Sequence, residues 1–497
     1  MRLNIKHNRR PLDRKVCDRA QRIILALPRK AATGTWPDFG YQESLAERFK
    51  REKPEVDTMD SFATVLPNEQ GSQLLVLLLD PDPSQFKLLS MLGKWAKSLQ
   101  YKREDIILDT RALSEPLAQR LAQALVLTLG AGLETLPDFR KQAKTIPQQI
   151  TLHIHSNSKP ETKRALIEAT GNGLARYLTL LPGNHLTPRL YVKRIRDLAK
   201  AEGWSMTYLD LAALKKKKAG AFIAVAQGNS GDAGGIVHLR YAPAGKSRGQ
   251  TVALVGKGIC FDSGGMNLKP SRYMHGMHQD MAGSAVALGC LLSLSRLKVN
   301  FAVDCWLAIT ENRTGPTAYK SQDVVKALSG KTIQTIHTDA EGRMALADTL
   351  TMASRENPAL IIDYATLTGA CMNAVTTRYS GVFTNRPKLH PVLKRGGRHS
   401  GERVWPFPIG KEYLEELRSD TADIRQCAID AGGDHIFAAT FLAEFIENDV
   451  PWVHVDLSAC KRKGGLAHIP TDITGFGVRY SMNLIYEKAI VQVVDEG

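Results

Sequence analysis

Five apolar runs of β type, at residues 251–255, 301–309, 332–336, 360–364 and 452–457, alternate with stretches of helical spacing such as 284–297 and 344–355. Few folds accommodate that order. Strands that follow one another through helices run parallel, and a parallel sheet needs both faces covered, so the pattern predicts a mostly parallel central sheet flanked by helices. Upstream, residues 20–157 read as a separate α/β unit, with strands at 22–27, 74–79, 106–108 and 150–155 and helices near 86–99 and 116–129. The run 23–27 is expected to be its first strand. From 159 to 181, Leu166, Ile167, Leu174, Leu178 and Leu181 recur at helical spacing until Pro182-Gly183-Asn184 ends the run, which predicts a connecting helix. A chain of 497 residues is too long for one ordinary core. The expected organisation is an N-terminal α/β domain over 1–158, the connecting helix within 159–185, and a larger C-terminal domain over 186–497.

Composition excludes several classes. No apolar run approaches the roughly 18 residues of a membrane span, and the block 74–79 suits a buried strand instead. The N-terminus is basic, carrying Arg2, Lys6, Arg9, Arg10, Arg14, Lys15, Arg19, Arg22, Arg29 and Lys30. A secretory signal needs an apolar stretch of about 7–15 residues, whereas 23–27 is short and is followed by Pro28. Seven dispersed cysteines without any C-x-x-C pair argue against a disulfide framework and a thiolate zinc site, so a reducing cytoplasm fits best. Cys260 reads as a small buried filler. The net charge of +16 and the basic clusters at 215–218, 386–403 and 461–463 raise nucleic-acid binding as a side activity. The clusters lack the interleaved aromatics of a stacking platform. Solvated enzyme surface is the competing reading.

The chemistry gathers in three segments: Lys257-Gly258-Ile259-Cys260-Phe261-Asp262-Ser263-Gly264-Gly265, then Lys269 and Asp280, then Thr338-Asp339-Ala340-Glu341-Gly342-Arg343. The first and third follow β-type runs, so their acids are expected at strand ends, where they can converge. Asp339 and Glu341, one residue apart in extended geometry, would face the same way. Asp262, Asp280, Asp339 and Glu341 carry four negative charges, which two divalent cations would neutralise and which would repel one another without metal. Oxygen ligands alone suit magnesium, manganese or calcium as readily as zinc. Lys257 and Lys269 each have two fates, a neutral amine on a metal or a charged stabiliser of an oxyanion, and spacing assigns neither. Arg343 stays cationic and could hold an anion near the substrate. Gly256-Lys257 is not a phosphate loop, because Thr251 and Gly258 occupy positions that need Gly and Ser or Thr. Ser263 has no partner histidine segment that would make it a nucleophile.

These segments, with Lys269-Pro270, Met277 and Asp280-Met281, closely resemble the leucyl aminopeptidase family, also called cytosol aminopeptidases, whose signature is the Thr-Asp-Ala-Glu-Gly-Arg string. Glu311-Asn312, the run from Ala365 to Ala370, and 452–457 extend the likeness over about 165–485, while the N-terminal domain is similar only in its general, macro-like layout. The resemblance implies that Lys257, Asp262, Asp280, Asp339 and Glu341 bind two zinc or manganese ions, one tight and one exchangeable, with Lys257 as a neutral ligand. Lys269 and Arg343 look like the family's catalytic pair, Arg343 holding a bicarbonate ion as general base. The implied reaction is removal of one N-terminal residue at a time from peptides by a metal-bridging water. Met277, Thr366, Leu367 and Gly369 match the family's apolar pocket, which favours leucine or methionine. A cytoplasmic homohexamer, a dimer of trimers, is implied too; nucleic acid remains a secondary partner, and a membrane is not expected.

This sequence departs from the family at several points. The usual Asp-Ile-Ala-Gly is here Asp456-Leu457-Ser458-Ala459, running into Cys460-Lys461-Arg462, which predicts a more polar pocket rim. His337 stands in place of the common Asn, a neighbour of the acids rather than a ligand. Ala282 replaces a usual Gly and would be strained at positive φ. Other readings of the chain are a regulatory nucleic-acid-binding protein on this scaffold, or a different metal-dependent hydrolase such as a phosphoesterase.

Overall fold

The computed structural model describes residues 3–29, 38–52, 59–99, 104–141, 149–229, 231, 233–243, 251–429 and 432–486. Arg2 and Lys30 of the basic stretch lie outside them. The chain divides into two compact units, one of Met1–Thr170 with Leu466–Pro470, the other of Gly171–Gly465 with Thr471–Gly497.

The first unit is built on a six-stranded sheet of β1 (Leu3–Asn8), β2 (Arg22–Pro28), β3 (Ser61–Val65), β4 (Gln73–Leu79), β5 (Glu104–Asp109) and β6 (Ile150–His155), in the order β1-β6-β5-β2-β4-β3. Only β3 is antiparallel to its neighbour. The expected first strand is therefore the second. β1, with the sequence LNIKHN, alternates apolar with polar residues at the sheet edge, and its charged residues hid it among the basic N-terminal residues. The central β2 and β4 are almost wholly buried, as unbroken aliphatic runs require.

The second unit carries an eight-stranded sheet made of β7 (Ser205–Asp210), β8 (Gly235–Tyr241), β9 (Val252–Asp262), β10 (Val303–Asn312), β13 (Leu360–Ala365), β14 (Ser380–Thr384), β15 (Val404–Pro406) and β17 (Trp452–Asp456). Their order is β15-β14-β17-β13-β9-β10-β8-β7. Strands β17, β13, β9 and β10 are mutually parallel, whereas β14, β8 and β7 pair antiparallel toward the edges. The central sheet is thus mostly parallel and helix-flanked, as the alternation predicted. The run 332–336 is not part of it. Its strand β12 (Thr332–Gln334) belongs to a small sheet with β11 (Val324–Lys326) and β16 (Ile424–Arg425).

The run at 251–255 does not stop at its glycines, since β9 continues through Gly256, Lys257 and Gly258 to Asp262. The glycines serve packing. A Cβ on Gly256 would stand 2.4 Å from Ser284 Cα and 2.8 Å from Gly283 O, so the buried helix Ala282–Arg296 crosses the strand at a distance only glycine allows. Ala282 is the first residue of that helix and is absent from the positive-φ residues, so the expected strain does not arise. β10 lies on one side of β9 and the later β13 on the other. The chain therefore reverses direction across the sheet at β9, where open α/β sheets form a crevice at their C-terminal edge.

Candidate active site

The parallel strands deliver polar groups to that edge: Asp262 ends β9, Asn312 ends β10, Thr366 follows β13 and Asp456 ends β17. Asp280 enters from a 3-10 turn, Met277–Gln279. Asp339 and Glu341 do not come from a strand end as expected. Asp339 lies in a turn, and Glu341 is the first residue of the buried helix Glu341–Arg355, where the positive helix N-terminus favours a carboxylate. The helix turns Asp339 and Glu341 differently from an extended pair, yet both still reach the site.

Carboxylate oxygens of Asp262, Asp280 and Glu341 all lie within 4.8 Å of one another, and all three side chains are buried. Two lysines thread the cluster. Lys257 Nζ stands 2.9 Å from Asp280 Oδ1, 2.8 Å from Asp280 Oδ2 and 2.9 Å from Glu341 Oε1. It also donates to Thr366 O at 3.1 Å. Lys269 Nζ lies 2.8 Å from Asp262 Oδ2 and 2.5 Å from Asp339 Oδ1. Gly342 makes room for the first of these, because a Cβ there would meet Lys257 Cε at 2.6 Å.

Fully ionised, four carboxylates against two ammonium groups would leave a net charge of minus two in a buried site. Burial, reinforced by Glu341 and Asp262 and opposed by Lys257, pushes Asp280 up to about 8. Burial and the charges of Asp262 and Glu341 likewise push Asp339 up to about 7, against Lys269. Glu341 is raised by burial and by Asp262. Burial also works to discharge both lysines, but the surrounding carboxylates outweigh it and hold them above the ordinary lysine value. The site is short of positive charge, which divalent cations on these oxygen donors would supply.

Residues of the motifs, with two from outside them, Gln426 and Asp434, complete the frame. Asn312 Nδ2 donates to Asp262 Oδ1 at 2.8 Å and to Thr338 O at 2.9 Å. Thr338 Oγ1 donates to Gly264 O at 2.6 Å, tying the two acid-bearing loops together. Gln426 Oε1 accepts from Ile336 N at 3.0 Å and its Nε2 donates to Ala340 O at 3.1 Å. Arg343 is 2% exposed; its Nη1 donates to Gln426 O at 3.2 Å and its Nη2 to Asp434 Oδ2 at 2.7 Å. Asp434 and Gln426 gave no sequence signal, being remote in the chain from the acids and outside any motif. His337 Nδ1 accepts from Asp339 N at 3.3 Å, a loop contact beside the acids.

The pocket candidates separate into two groups. Thr366 Oγ1 donates to Asp280 Oδ1 at 2.7 Å, so it supports the acid cluster directly. Leu367 N is held by Asp456 Oδ1 at 3.2 Å, and Gly369 is exposed at the start of the helix Gly369–Val375. Met277 is half-buried on the turn that carries Asp280. Lys461 is exposed, and its Nζ lies 3.1 Å from where a Cβ on Gly276 would stand, so a positive charge flanks the Met277 turn.

A helix-covered α/β sheet whose C-terminal edge gathers buried carboxylates is the arrangement of an α/β enzyme site with oxygen donors suited to divalent cations. The model of the cytosol aminopeptidase family's catalytic domain matches residues 173–482. A probable cytosol aminopeptidase of Roseiflexus castenholzii is 35% identical over 426 residues, spanning 80% of this chain and 86% of that one. One from Rhodopseudomonas palustris is 34% identical over 434 residues, 84% of each. The chain belongs to the cytosol aminopeptidase family, and it is a peptidase of the aminopeptidase type. Among solved structures, the bottromycin maturation enzyme BotP in complex with Mn aligns with a TM-score of 0.80 at 29% identity, covering 95% of this chain and 100% of that one. A leucyl aminopeptidase from Leishmania major in complex with actinonin shares the fold at a TM-score of 0.79 and 22% identity, covering 97% and 94%.

Proposed function

We propose that the chain is a two-metal aminopeptidase that removes N-terminal residues from peptides, with leucine- or methionine-like side chains preferred. The observation that carries this reading is the buried carboxylate cluster of Asp262, Asp280 and Glu341, within 4.8 Å and short of two positive charges once Asp339, Lys257 and Lys269 are counted. Asp262, Asp280, Asp339 and Glu341 would hold zinc or manganese ions, with Lys257 as a fifth donor after losing its proton. The Mn-bound state of BotP favours manganese among the candidates. Bound there, such ions would polarise the scissile carbonyl and make an attacking water more acidic.

The chain's own groups do the rest. Lys269 remains charged, and its ammonium is the donor best placed to stabilise the oxygen of the carbonyl under attack. Asn312 fixes Asp262 through Oδ1, which leaves Oδ2 facing Lys269. Met277, Thr366, Leu367 and Gly369 would line the pocket for the N-terminal side chain, with Lys461 lending its rim polarity. The bicarbonate ion implied by the family resemblance would share Arg343 with Asp434, which pairs with Nη2, while the buried Nε keeps a donor without a partner among the described residues. No step is assigned to bicarbonate. The family resemblance further supports a cytoplasmic homohexamer, a dimer of trimers.

The test is release of p-nitroaniline from leucine p-nitroanilide by purified protein with and without manganese or zinc, beside Asp339→Ala. Metal-dependent release, lost in the variant, is the expected result. A wild type that binds metals and cleaves phosphate esters but no aminoacyl anilide or amide would overturn the reading.

A further inference from the structure

We infer that Lys461 is a specificity-determining residue that admits an acidic side chain, glutamate above all, at the N-terminal position of the peptide, beside the leucine- and methionine-like ones. The inference rests on the peptidase reading for the reaction and on geometry for the pocket. Strands β13 and β17 are parallel neighbours that end at the same sheet edge, so the segment after β17 runs beside the segment after β13. Leu457 N donates to Ala365 O at 2.8 Å, and Thr368 Oγ1 donates to Asp456 Oδ2 at 2.7 Å. Ser458 is buried beside Cys371, on the helix that Gly369 begins. Three residues further on, Lys461 Nζ lies 3.1 Å from where a Cβ on Gly276 would stand, next to Met277. Residues 457–461 therefore bridge the two sets of residues that line the proposed pocket, Thr366 to Gly369 on one side and Met277 on the other. Lys461 brings a cation to the Met277 side.

Nothing within the protein uses that cation. Lys461 is exposed, and no hydrogen bond or ion pair engages its Nζ among the described residues. Asp280, on the same turn as Met277, has both oxygens taken, Oδ1 by Thr366 at 2.7 Å and Oδ2 by Lys257 at 2.8 Å. Asp472 Oδ1 accepts from Gly464 N at 2.9 Å. On the turn itself the groups nearest in charge are His275 and His278, and burial, then Lys461 and His275, hold His278 below the ordinary imidazole value. Neighbouring cations turn elsewhere: Arg462 Nη1 donates to Thr377 Oγ1 at 3.2 Å, and Arg403 lies 4.3 Å from the Tyr379 ring centroid.

Glutamate matches methionine in length, so it spans the same apolar wall and ends in a carboxylate where methionine ends in a methyl group. The four-carbon stem of a lysine is flexible enough to follow that carboxylate. An unengaged ammonium gives up only water to meet it and gains a charge-assisted hydrogen bond. A lysine or arginine at the peptide's N-terminus would instead face a like charge, so the same residue selects for one substrate class and against another.

The experiment measures kcat/KM of metal-loaded full-length protein on the p-nitroanilides of leucine, glutamate and lysine, for wild type, Lys461→Met, Lys461→Glu and Arg378→Gln. Arg378 is exposed just before β14, whose Gly381 pairs with Asp456, so it is a cation of the same sheet edge and its variant reports the general field. Metal content and melting temperature are matched first. Wild type is expected to cleave the glutamate anilide within about tenfold of the leucine one, and the lysine anilide least. Lys461→Met should lower the glutamate-to-leucine ratio about tenfold, the size of one hydrogen bond between charged groups, and Lys461→Glu should reverse the order of glutamate and lysine. Arg378→Gln should leave the ratio within about twofold, as an exposed and screened charge would. An unchanged ratio in Lys461→Met overturns the inference. So does an equal fall in Arg378→Gln, the signature of a diffuse field. Calorimetry with free L-glutamate and L-leucine needs no turnover: Lys461→Met should weaken glutamate binding selectively, and an equal effect on both amino acids overturns the inference. A wild type that cleaves no anilide would sink the peptidase reading instead, while the calorimetric comparison would still decide whether Lys461 selects the carboxylate.

Discussion

Asn312 shows how much of the site depends on a neutral side chain. Its amide holds Asp262 Oδ1 and Thr338 O together, joining the end of β9 to the loop before Asp339. Asn312→Ala leaves both acceptors without that donor and holds the Asp262 carboxylate only by Gly264 N at 2.9 Å and Lys269 at 2.8 Å. Metal affinity is expected to fall about 10- to 100-fold, as for other residues that orient metal-binding carboxylates, and titration of metal-free protein with manganese measures it. The acids themselves set a pH signature. Asp280 and Asp339, raised to about 8 and about 7, bind protons in the metal-free folded chain that the unfolded chain has released above roughly pH 4. The stabilising contribution of these protons is complete below that unfolded value and is lost as pH rises through 7 and 8. EDTA-treated protein should therefore melt lower at pH 8 than at pH 5, while manganese should raise the melting temperature more at pH 8, where fewer protons compete for the ligands. A metal-free protein that gains stability over that interval would contradict the assignment. The charged residues of this site were readable from spacing. Asn312 entered only through the Glu311-Asn312 likeness to the family, and Gln426 and Asp434 gave no signal, because an amide or lone acid far along the chain carries no pattern until folding brings it to its partner.

Strand β9 is the element on which the site hangs, and its sequence misleads at the point that matters. Gly256 and Gly258 look like the start of a loop, yet the strand runs through them. The cause is tertiary: the Ala282–Arg296 helix presses its Gly283-Ser284 backbone on Gly256, and Gly283 in turn lies so close to Tyr364 O that a Cβ there would stand at 2.1 Å. A single sequence shows the glycines but not the crossing that demands them. Gly256→Ala must push the helix away from β9 and Asp280 with it. A destabilisation of about 1–3 kcal/mol or more is expected, read as a lower urea midpoint, with metal affinity falling in parallel. Unchanged stability would mean that the helix and strand have slack. The helix alternation and the buried aliphatic strands were legible because their periods are local. The short β11, β12 and β16, with few residues each, take their place from hydrogen-bond partners rather than from their own pattern.

Across the whole chain, a net charge of +16 makes nonspecific attraction to nucleic acid a matter of Coulomb's law, so the question is whether any of that charge forms a dedicated surface. Lys215, Lys216 and Lys217 end the helix Leu211–Lys217 as exposed side chains, where cations suit the helix C-terminus. In the stretch 386–403, Arg386 pairs with Asp449 at 2.9 Å, Lys394 lies 4.5 Å from the Trp405 ring centroid and Arg403 lies 4.3 Å from that of Tyr379, while Lys388, Arg395 and Arg398 are exposed. Arg462 Nη1 donates to Thr377 Oγ1 at 3.2 Å. The Trp405 and Tyr379 rings that a nucleic-acid surface would offer to bases each carry one of the protein's own cations against them. Duplex DNA is accordingly expected to be retarded at low salt and released between about 50 and 200 mM, the behaviour of diffuse phosphate contacts. Asp339→Ala should leave that retardation unchanged, and DNA should leave leucine p-nitroanilide hydrolysis unchanged, because charge and active site draw on different residues. Retardation that persists at physiological salt would require a dedicated surface, and would make the basic clusters a second function instead of a by-product of composition.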